Sequence, residues 1–232
     1  MSFPRPAAPQ IPAWLQPVRQ VSESAPRWRP EFRPPPDASA RAASVLILFG
    51  EGADGPEVLL TERAHDMRSH AGQVAFPGGS QDAEDADEVA AALREAQEET
   101  GLDPLGVDVF GELPALWLPP SNFIVTPVLA WWRQPSPVRA ADPAETASVH
   151  IVPIAELLEP ANRVTVHHPS GHRGAGFLVR GLVVWGFTAA LLDRLFDLAG
   201  WEIPWEASRL IDLPGVMVES SLRDLERSQV QP

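Results

Sequence analysis

The stretch from Phe76 to Leu102 constrains this chain more than any other, because a glycine turn and an acidic loop lead directly into one patterned helix. Small and apolar residues recur there at helical spacing, which predicts that one side of the helix packs on a core. They are Val89, Ala92, Leu93, Ala96 and Thr100. Gly101 follows, where a residue without a Cβ atom adopts the left-handed conformation that ends a helix.

Three acidic residues of this helix, Glu95, Glu98 and Glu99, are three and four positions apart, so their carboxylates are predicted to converge on one patch of surface. Like charges at this spacing repel each other, and the last helical turn carries the negative end of the helix dipole. Each such contact costs about 0.3–1 kcal/mol at an exposed site. A divalent cation such as Mg²⁺, which binds oxygen ligands, would relieve the repulsion. The cluster therefore indicates a metal site.

Length and charge limit the remaining possibilities. The 232 residues are enough for one sizeable domain with extensions. The formal net charge of −13 argues against binding to nucleic acids or anionic membranes, and a polyanionic substrate would need local arginines or a metal. The absence of cysteine excludes disulfides, thiolate metal sites and a cysteine nucleophile. Because no apolar window has the length of a membrane span, we expect a cytoplasmic protein.

The domain boundaries follow from composition. Residues 1–40 are rich in Pro and Arg and have no hydrophobic period, which predicts an extended arm without regular structure. The main domain is predicted over residues 41–200. Residues 201–232 are predicted to form a tail that packs on the domain, with a small helix from Ser220 to Arg227.

Apolar runs bounded by turn residues predict the strands. They are Ala43–Phe49, Glu57–Arg63, Gln73–Phe76, Val107–Leu116, Phe123–Trp132, Val149–Pro153, Arg163–His168 and Gly176–Arg180. A short helix is predicted over Ile154–Leu158 and an amphipathic helix over Val184–Leu198. Since strands and helices do not alternate regularly, the pattern favours an α/β fold with a mixed sheet flanked by helices over a doubly wound parallel sheet.

The segment from Gly79 to Leu102 resembles the signature of the Nudix hydrolases. Its second half matches R-E-aliphatic-x-E-E-x-G-aliphatic from Arg94 to Leu102. A loop one residue longer than usual puts Gly79 and Asp85 at the glycine and acidic positions of the first half. The resemblance implies the Nudix fold, an α/β/α sandwich with a mixed, curved sheet.

The same resemblance implies roles in catalysis. Glu95 and Glu99 would ligate Mg²⁺ or Mn²⁺, and Glu98 would share a metal or orient a water. Arg94 would pair with a helix glutamate and fix its rotamer. The general base varies within the family between a helix carboxylate and one from a distant loop. Glu145, in the acidic loop before a predicted strand, is the candidate for the second case.

A second motif concerns the substrate. The segment LLTERAHDMRSHAGQVAFPGG, from Leu59 to Gly79, is similar to the additional motif of coenzyme A pyrophosphatases within the Nudix family. Two later sequences also look like that subgroup: V-P-I-x-E-L-L at Val152–Leu158 and W-G-F-T-A at Trp185–Ala189. This resemblance implies that Arg63 and Arg68 bind substrate phosphates. Gly78 and Gly79 would let the backbone turn tightly and keep the space above the helix free.

The resulting prediction is Mg²⁺- or Mn²⁺-dependent hydrolysis of the diphosphate bond in coenzyme A or acyl-coenzyme A, by a protein that the resemblance implies to be a homodimer. Alternatives are a Nudix pyrophosphatase for NADH, ADP-ribose or a nucleoside triphosphate, and a Nudix-like ligand-binding regulator without turnover. The proline-rich arm could also dock a partner. His167, His168 and His172 are interpreted as surface residues, because neighbouring strand residues point to opposite faces.

Overall fold

The computed structural model describes residues 9–24, 40–65, 67, 70–118, 122–171, 173–215 and 217–219. The predictions for Arg68, for His172 and for the helix from Ser220 to Arg227 lie outside these residues, as does the predicted arm except at residues 9–24 and 40. Within the described ranges, no helix is both long and apolar enough to cross a bilayer.

The larger of two sheets contains the predicted strands of the first part of the chain. Its strands are β1 (Arg41–Gly52), β2 (Gly55–Arg63), β3 (Val74–Ala75), β4 (Gly78–Ser80), β5 (Val107–Glu112), β6 (Leu116–Leu118), β7 (Phe123–Trp132) and β8 (Thr146–Pro153). The central order is β3-β2-β1-β7-β5, while β4 pairs with β1, β6 with β7 and β8 with β2. The β1–β7 pair is parallel and the β1–β2 pair antiparallel, which confirms a mixed sheet.

A second sheet was not predicted as a separate layer. It consists of β9 (Arg163–His167), β10 (Arg173–Val179), β11 (Leu182–Val184) and β12 (Leu210–Asp212), in the order β11-β10-β9-β12. The strands predicted over Arg163–His168 and Gly176–Arg180 are present as the antiparallel pair β9 and β10. Strand β12 belongs to the tail and pairs in parallel with β9, and Leu213 and Met217 continue this packing by burying their side chains.

Helices flank the sheets, and four of those in the described part of the chain have both ends defined. They are α1 (Gln16–Glu23), α2 (Glu88–Thr100), α3 (Ile154–Leu158) and α4 (Gly186–Leu198). Successive residues of β1 contribute to two different cores, because neighbouring strand residues point to opposite faces of the sheet. Leu46 and Leu48 pack with α2, whereas Ile47 and Phe49 belong to the core that contains α4. This arrangement confirms the expected layering of helices on both faces of the sheet.

The prediction that residues 1–40 lack regular structure is wrong for residues 13–23. A 3-10 turn over Ala13–Leu15 leads into α1. Leu15, Val18 and Val21 are three residues apart and bury their side chains in the main core. The density of prolines hid this period in the sequence. Pro17 lies in the first turn of α1, where a residue without an N–H group breaks no helical hydrogen bond.

Trp14 connects this N-terminal segment to the body of the domain. Its ring packs edge-on against Phe49 and Trp131, with centroid distances of 6.3 and 5.9 Å. The indole N–H donates to Glu51 Oε2 at 3.3 Å. Trp201, which follows α4, lies 5.9 Å from the same ring. The segment therefore closes one end of the core.

Deletion of residues 1–24 is expected to lower the urea midpoint of unfolding substantially. Each fully buried aliphatic side chain contributes about 1.5–3 kcal/mol, and the deletion removes three of them. Urea denaturation followed by tryptophan fluorescence measures the effect. Deletion of residues 1–8 is the control, since it removes none of these side chains. An unchanged midpoint after the longer deletion would show that α1 is dispensable for the fold.

Arg163 joins the second sheet to α4 and to the tail. The side chain is 1% exposed and pairs with Asp193 of α4. Its guanidinium lies 4.6 Å from the Phe177 ring centroid and 4.5 Å from that of Trp205. A buried cation held between two aromatic rings and a carboxylate fixes the tail residue Trp205 against the domain.

The interpretation of the histidines as surface residues is wrong for His168, which is 3% exposed. Its Nδ1 atom lies 2.8 Å from Ser170 Oγ, and its ring stacks on Trp185 with centroids 5.9 Å apart. His168 comes just after β9, where the chain turns and strand alternation no longer decides which way a side chain points. His167 is partly exposed, with its Nδ1 atom 3.3 Å from Asp212 Oδ1.

Candidate active site

The glycines of β4 lie directly on the acidic face of α2. The Gly78 N–H donates to Glu99 Oε2 at 3.1 Å. A Cβ atom at Gly78 would lie 2.3 Å from the Ser44 carbonyl oxygen and 2.7 Å from Val45 Cα. Both of these atoms belong to the backbone of the paired strand β1. Only glycine therefore allows β4 to pair with β1 while its N–H reaches Glu99.

Gly79 has a different neighbour. A Cβ atom here would lie 2.5 Å from the carboxyl carbon of Glu95. The space that this glycine leaves open is thus filled by the Glu95 carboxylate. The two glycines were predicted to allow a tight turn and to keep the space above the helix free. In the structure this space is not free, because the carboxylates of Glu99 and Glu95 lie against Gly78 and Gly79.

Arg94 connects the acidic loop to the helix carboxylates. Its Nε and Nη2 atoms donate to the two oxygens of Asp85 at 3.0 and 2.9 Å. Its Nη1 atom donates to Glu95 Oε1 and to Glu98 Oε2, each at 3.0 Å. The Ser80 carbonyl oxygen accepts a further bond at 2.9 Å. The expected contact of Arg94 with helix glutamates is therefore present, and it extends to the loop.

The additional residue of the loop is absorbed in a turn before the helix. The Asp85 N–H donates to the Asp82 carbonyl oxygen at 3.1 Å, and Asp85 Oδ2 accepts from the Asp82 N–H at 2.8 Å. The hydrogen bonds from Arg94 lower the pKa of Asp85. Sequence reasoning assigned Asp85 no function. In the structure Asp85 is the main partner of Arg94. The sequence indicated this only by placing Asp85 at the acidic position of the motif once one extra loop residue is allowed.

The three helix glutamates do not form one surface patch, which corrects that prediction. Glu99 is 8% exposed, whereas the side chain of Glu98 is 59% exposed. Glu95 and Glu99 are four residues apart and both face β4, while Glu98 points outward beside Arg94. The face that α2 packs on the sheet thus includes a carboxylate, which hydrophobic spacing alone does not reveal.

Burial shifts the protonation of this pair. It raises the pKa of Glu99 to about 7, against the lowering effects of the Gly78 N–H and the Arg63 charge. The charges of Glu95 and Glu145 raise it further. Burial also raises the pKa of Glu95, against the hydrogen bond from Arg94. Two neighbouring carboxylates are therefore held where their charged forms are poorly solvated.

The oxygen ligands of these glutamates suit a divalent cation, but the carboxylates are not arranged as a metal site in this structure. Among the described residues, no three Asp, Glu or His side chains are grouped closely enough to hold a metal ion. In this arrangement Arg94 donates to Glu98 and to the Oε1 atom of Glu95. Carboxylate oxygens nevertheless suit Mg²⁺ and Mn²⁺, and a cation would offset the repulsion between Glu95 and Glu99. Metal ligation by the three glutamates stays a prediction.

Arg63, at the end of β2, lies beside the same carboxylates. Its backbone N–H donates to the Gln73 carbonyl oxygen at 2.9 Å, and its carbonyl accepts from the Gly72 N–H at 3.2 Å. The side chain places Nη1 4.0 Å from Glu99 Oε1. Its buried Nε atom has no hydrogen-bond partner in the part of the chain that the structure describes. The backbone is thus fixed while the guanidinium keeps donors for another anion.

Glu145 approaches the site from the segment before β8. Its carbonyl oxygen accepts from the Ala64 N–H at 2.9 Å. The β2–β8 register shifts after Glu62, so that Arg63 pairs with Thr146 instead of the residue expected from regular pairing. A β-bulge of this kind redirects the neighbouring residues. The backbone of Glu145 is therefore held beside that of Ala64, next to Arg63, and its charge acts on Glu99, although 46 positions separate the two glutamates in the sequence.

Comparison with known proteins identifies the family. A model of the NUDIX domain matches residues 38–170. An uncharacterized Nudix hydrolase NudL from Cronobacter sakazakii is 42% identical over 162 residues, which cover 67% of this chain and 81% of that protein. NudL from Salmonella paratyphi B is 41% identical with the same coverage.

A solved structure agrees at the level of the fold. The Nudix hydrolase RenU from M. smegmatis aligns with a TM-score of 0.51 and 22% identity, covering 72% of this chain and 89% of its own. This likeness supports the Nudix fold that the layered sheet and helices suggest. Because the family match spans more than half of the chain and includes β4, α2 and Glu145, the protein belongs to the Nudix hydrolase family.

Proposed function

We propose that this Nudix hydrolase cleaves the diphosphate bond of coenzyme A and its derivatives in a reaction that requires Mg²⁺ or Mn²⁺. Water adds across the P–O–P linkage, so one phosphate stays on each product, 3′,5′-ADP and 4′-phosphopantetheine. One observation carries the proposal. The L-L-T-x-R sequence at the start of the Leu59–Gly79 segment ends at Arg63, whose Nη1 atom lies 4.0 Å from Glu99 Oε1 on the acidic helix.

Arg63 is suited to bind a substrate phosphate. Its contact with Glu99 is long for a hydrogen bond, and its Nε atom has no hydrogen-bond partner among the described residues. A guanidinium presents its donors in a planar fork that matches phosphate oxygens. Since the chain carries a net charge of −13, a polyanion needs such a local cation. Arg68 is proposed as a second phosphate ligand, although it lies outside the described residues.

The roles of the other residues follow from their positions. Glu95 and Glu99 would hold the metal with Glu98 beside them, and the bound cation would supply charge neutralisation and a more acidic water. Arg94 keeps Glu95, Glu98 and Asp85 in place. Glu145 is proposed as the base that accepts the proton of the attacking water.

A substrate comparison tests the proposal. The purified protein is incubated with coenzyme A, NADH, ADP-ribose and dGTP, with Mg²⁺, Mn²⁺ or EDTA, and the products are resolved by chromatography. We expect the highest kcat/KM with coenzyme A and no turnover in EDTA. Preference for NADH would remove the substrate assignment and leave the hydrolase. Absence of turnover with every compound would favour a ligand-binding regulator.

Replacement of Arg63 by alanine is expected to raise the KM for coenzyme A about 10- to 100-fold, because a hydrogen bond to a charged group contributes about 1.5–3 kcal/mol. The melting temperature should change little, since among the described residues the Arg63 side chain makes only a long contact with Glu99. Arg68→Ala is expected to behave in the same way. Arg133→Ala serves as a control, because it breaks an exposed pair with Asp108 on β5. Equal loss of stability and affinity would contradict the phosphate-binding role.

A further inference from the structure

The segment before β8 is fastened to the C-terminal end of α2. The Arg139 N–H donates to the Thr100 carbonyl oxygen at 2.9 Å, and the Ala141 N–H donates to that of Glu99 at 3.0 Å. The last carbonyls of a helix have no partner within the helix, so these bonds satisfy two of them. Ala141, which is hydrogen-bonded to the backbone of Glu99, therefore precedes Glu145 by only four residues.

Asp142 closes the turn that spans those four residues. Its carbonyl oxygen accepts from the Glu145 N–H at 3.1 Å and from the Thr146 N–H at 2.9 Å. Its side-chain Oδ1 accepts from the Ala144 N–H at 2.9 Å. An aspartate that binds the backbone two residues ahead fixes a turn through its own side chain. The side chain of Asp142 is thus one determinant of the path that leads to Glu145.

The backbone on the C-terminal side of Glu145 is also held by hydrogen bonding and strand pairing. Its carbonyl oxygen is bound by the Ala64 N–H, and Thr146 is buried and paired with Arg63. Glu145 itself is exposed. The backbone of Glu145 is therefore held on both sides, which fixes the point from which its side chain extends.

We propose that Asp142 is a positioning residue that holds Glu145 in place beside the α2 glutamates, an inference that rests on the proposed function. The hydrogen bond from the Ala144 N–H to Asp142 Oδ1 restricts the turn, and the turn fixes the backbone from which the Glu145 side chain extends. Misplacement of a reacting group by about 1 Å can cost about 100-fold in rate. Loss of the Asp142 side chain should therefore lower kcat, whereas substrate binding at Arg63 is unaffected.

The test compares Asp142→Ala, Asp142→Asn, Glu145→Gln and the double variant Asp142→Ala/Glu145→Gln in the full-length protein. Each is assayed at saturating Mg²⁺ with coenzyme A, or with whichever compound of the substrate comparison is hydrolysed. We expect Asp142→Ala to lower kcat at least about 10-fold with KM within about twofold of wild type. Asp142→Asn should restore kcat, since its amide oxygen still accepts from Ala144. Asp54→Ala, in the β1–β2 turn, is the matched control.

The double variant separates positioning from a general effect on folding. If Asp142 acts through Glu145, the double variant should be no slower than Glu145→Gln alone. A further loss of the same size in that background would overturn the inference, as would an Asp142→Asn variant as slow as Asp142→Ala. Full activity of Glu145→Gln would also overturn it, while the proposed function stands. Failure of the wild type to hydrolyse any diphosphate would remove both.

Discussion

Replacement of Glu99 by glutamine is expected to abolish metal-dependent hydrolysis and to leave the fold at least as stable as the wild type. Glutamine has the same size, and its amide oxygen can still accept from the Gly78 N–H. It removes a charge from a side chain that is largely excluded from water, which favours the folded state. It also removes a proposed ligand, so we expect kcat to fall at least about 100-fold.

Three measurements check this result. They are kcat with Mg²⁺, Mn²⁺ binding by isothermal titration calorimetry, and the melting temperature. Glu112→Gln is a suitable control, because Glu112 is also an acid whose pKa is raised by burial, but it lies on β5. Weaker Mn²⁺ binding with an unchanged or higher melting temperature would agree with the expectation. Full activity would contradict the ligand role, and a large loss of stability would contradict the argument from burial.

Replacement of Gly79 by alanine is expected to disable the site without unfolding the protein. The new methyl group would meet the carboxylate of Glu95, which is the end of a flexible side chain and can move away. The Glu95 carboxylate would then leave its position beside Glu99, and kcat should fall about 10- to 100-fold as it does when groups supporting metal ligands are lost. The melting temperature should stay close to that of the wild type.

Gly78→Ala provides the contrast. Its methyl group would meet the backbone of Ser44 and Val45, which cannot move without separating β4 from β1. Overpacking against fixed atoms costs about 1–3 kcal/mol, so this variant should melt at a clearly lower temperature. Thermal unfolding and kcat measured for both variants distinguish the two glycines. If Gly79→Ala were as unstable as Gly78→Ala, the space above Glu95 would be needed for folding and not for chemistry.

Local patterns predicted much of the secondary structure. The helix over Ile154–Leu158 and the strand over Phe123–Trp132 have the predicted bounds, and Gly101 ends α2 with φ of +69°. These features depend on short-range periods and on glycine, which one sequence displays directly. Strand β12 was missed because Leu210–Asp212 has only three residues and pairs in parallel with a strand 45 positions earlier.

The candidate site was less accessible to sequence reasoning, because its contacts join distant residues. The motif drew attention to Glu95, Glu98 and Glu99, but their spacing did not show that Glu99 is buried. The contact of Arg63 with Glu99 bridges 36 positions and arises from strand pairing and a bulge. The spacing of apolar residues within one helix or strand does not indicate contacts between such distant residues. The predicted homodimer and the metal ligands stay predictions.

The contact between Trp14 and Trp201 has a consequence for synthesis on the ribosome. Trp14 emerges early, whereas Trp201, which completes its aromatic surroundings, is added 187 residues later. Translation adds about 5–20 residues per second, so the indole waits on the order of ten seconds or more for that neighbour. During this interval α1 cannot find its final packing, since α4 is also still missing. Helix α1 is therefore expected to settle late, and a nascent chain that stops before α4 would leave the apolar side of α1 exposed.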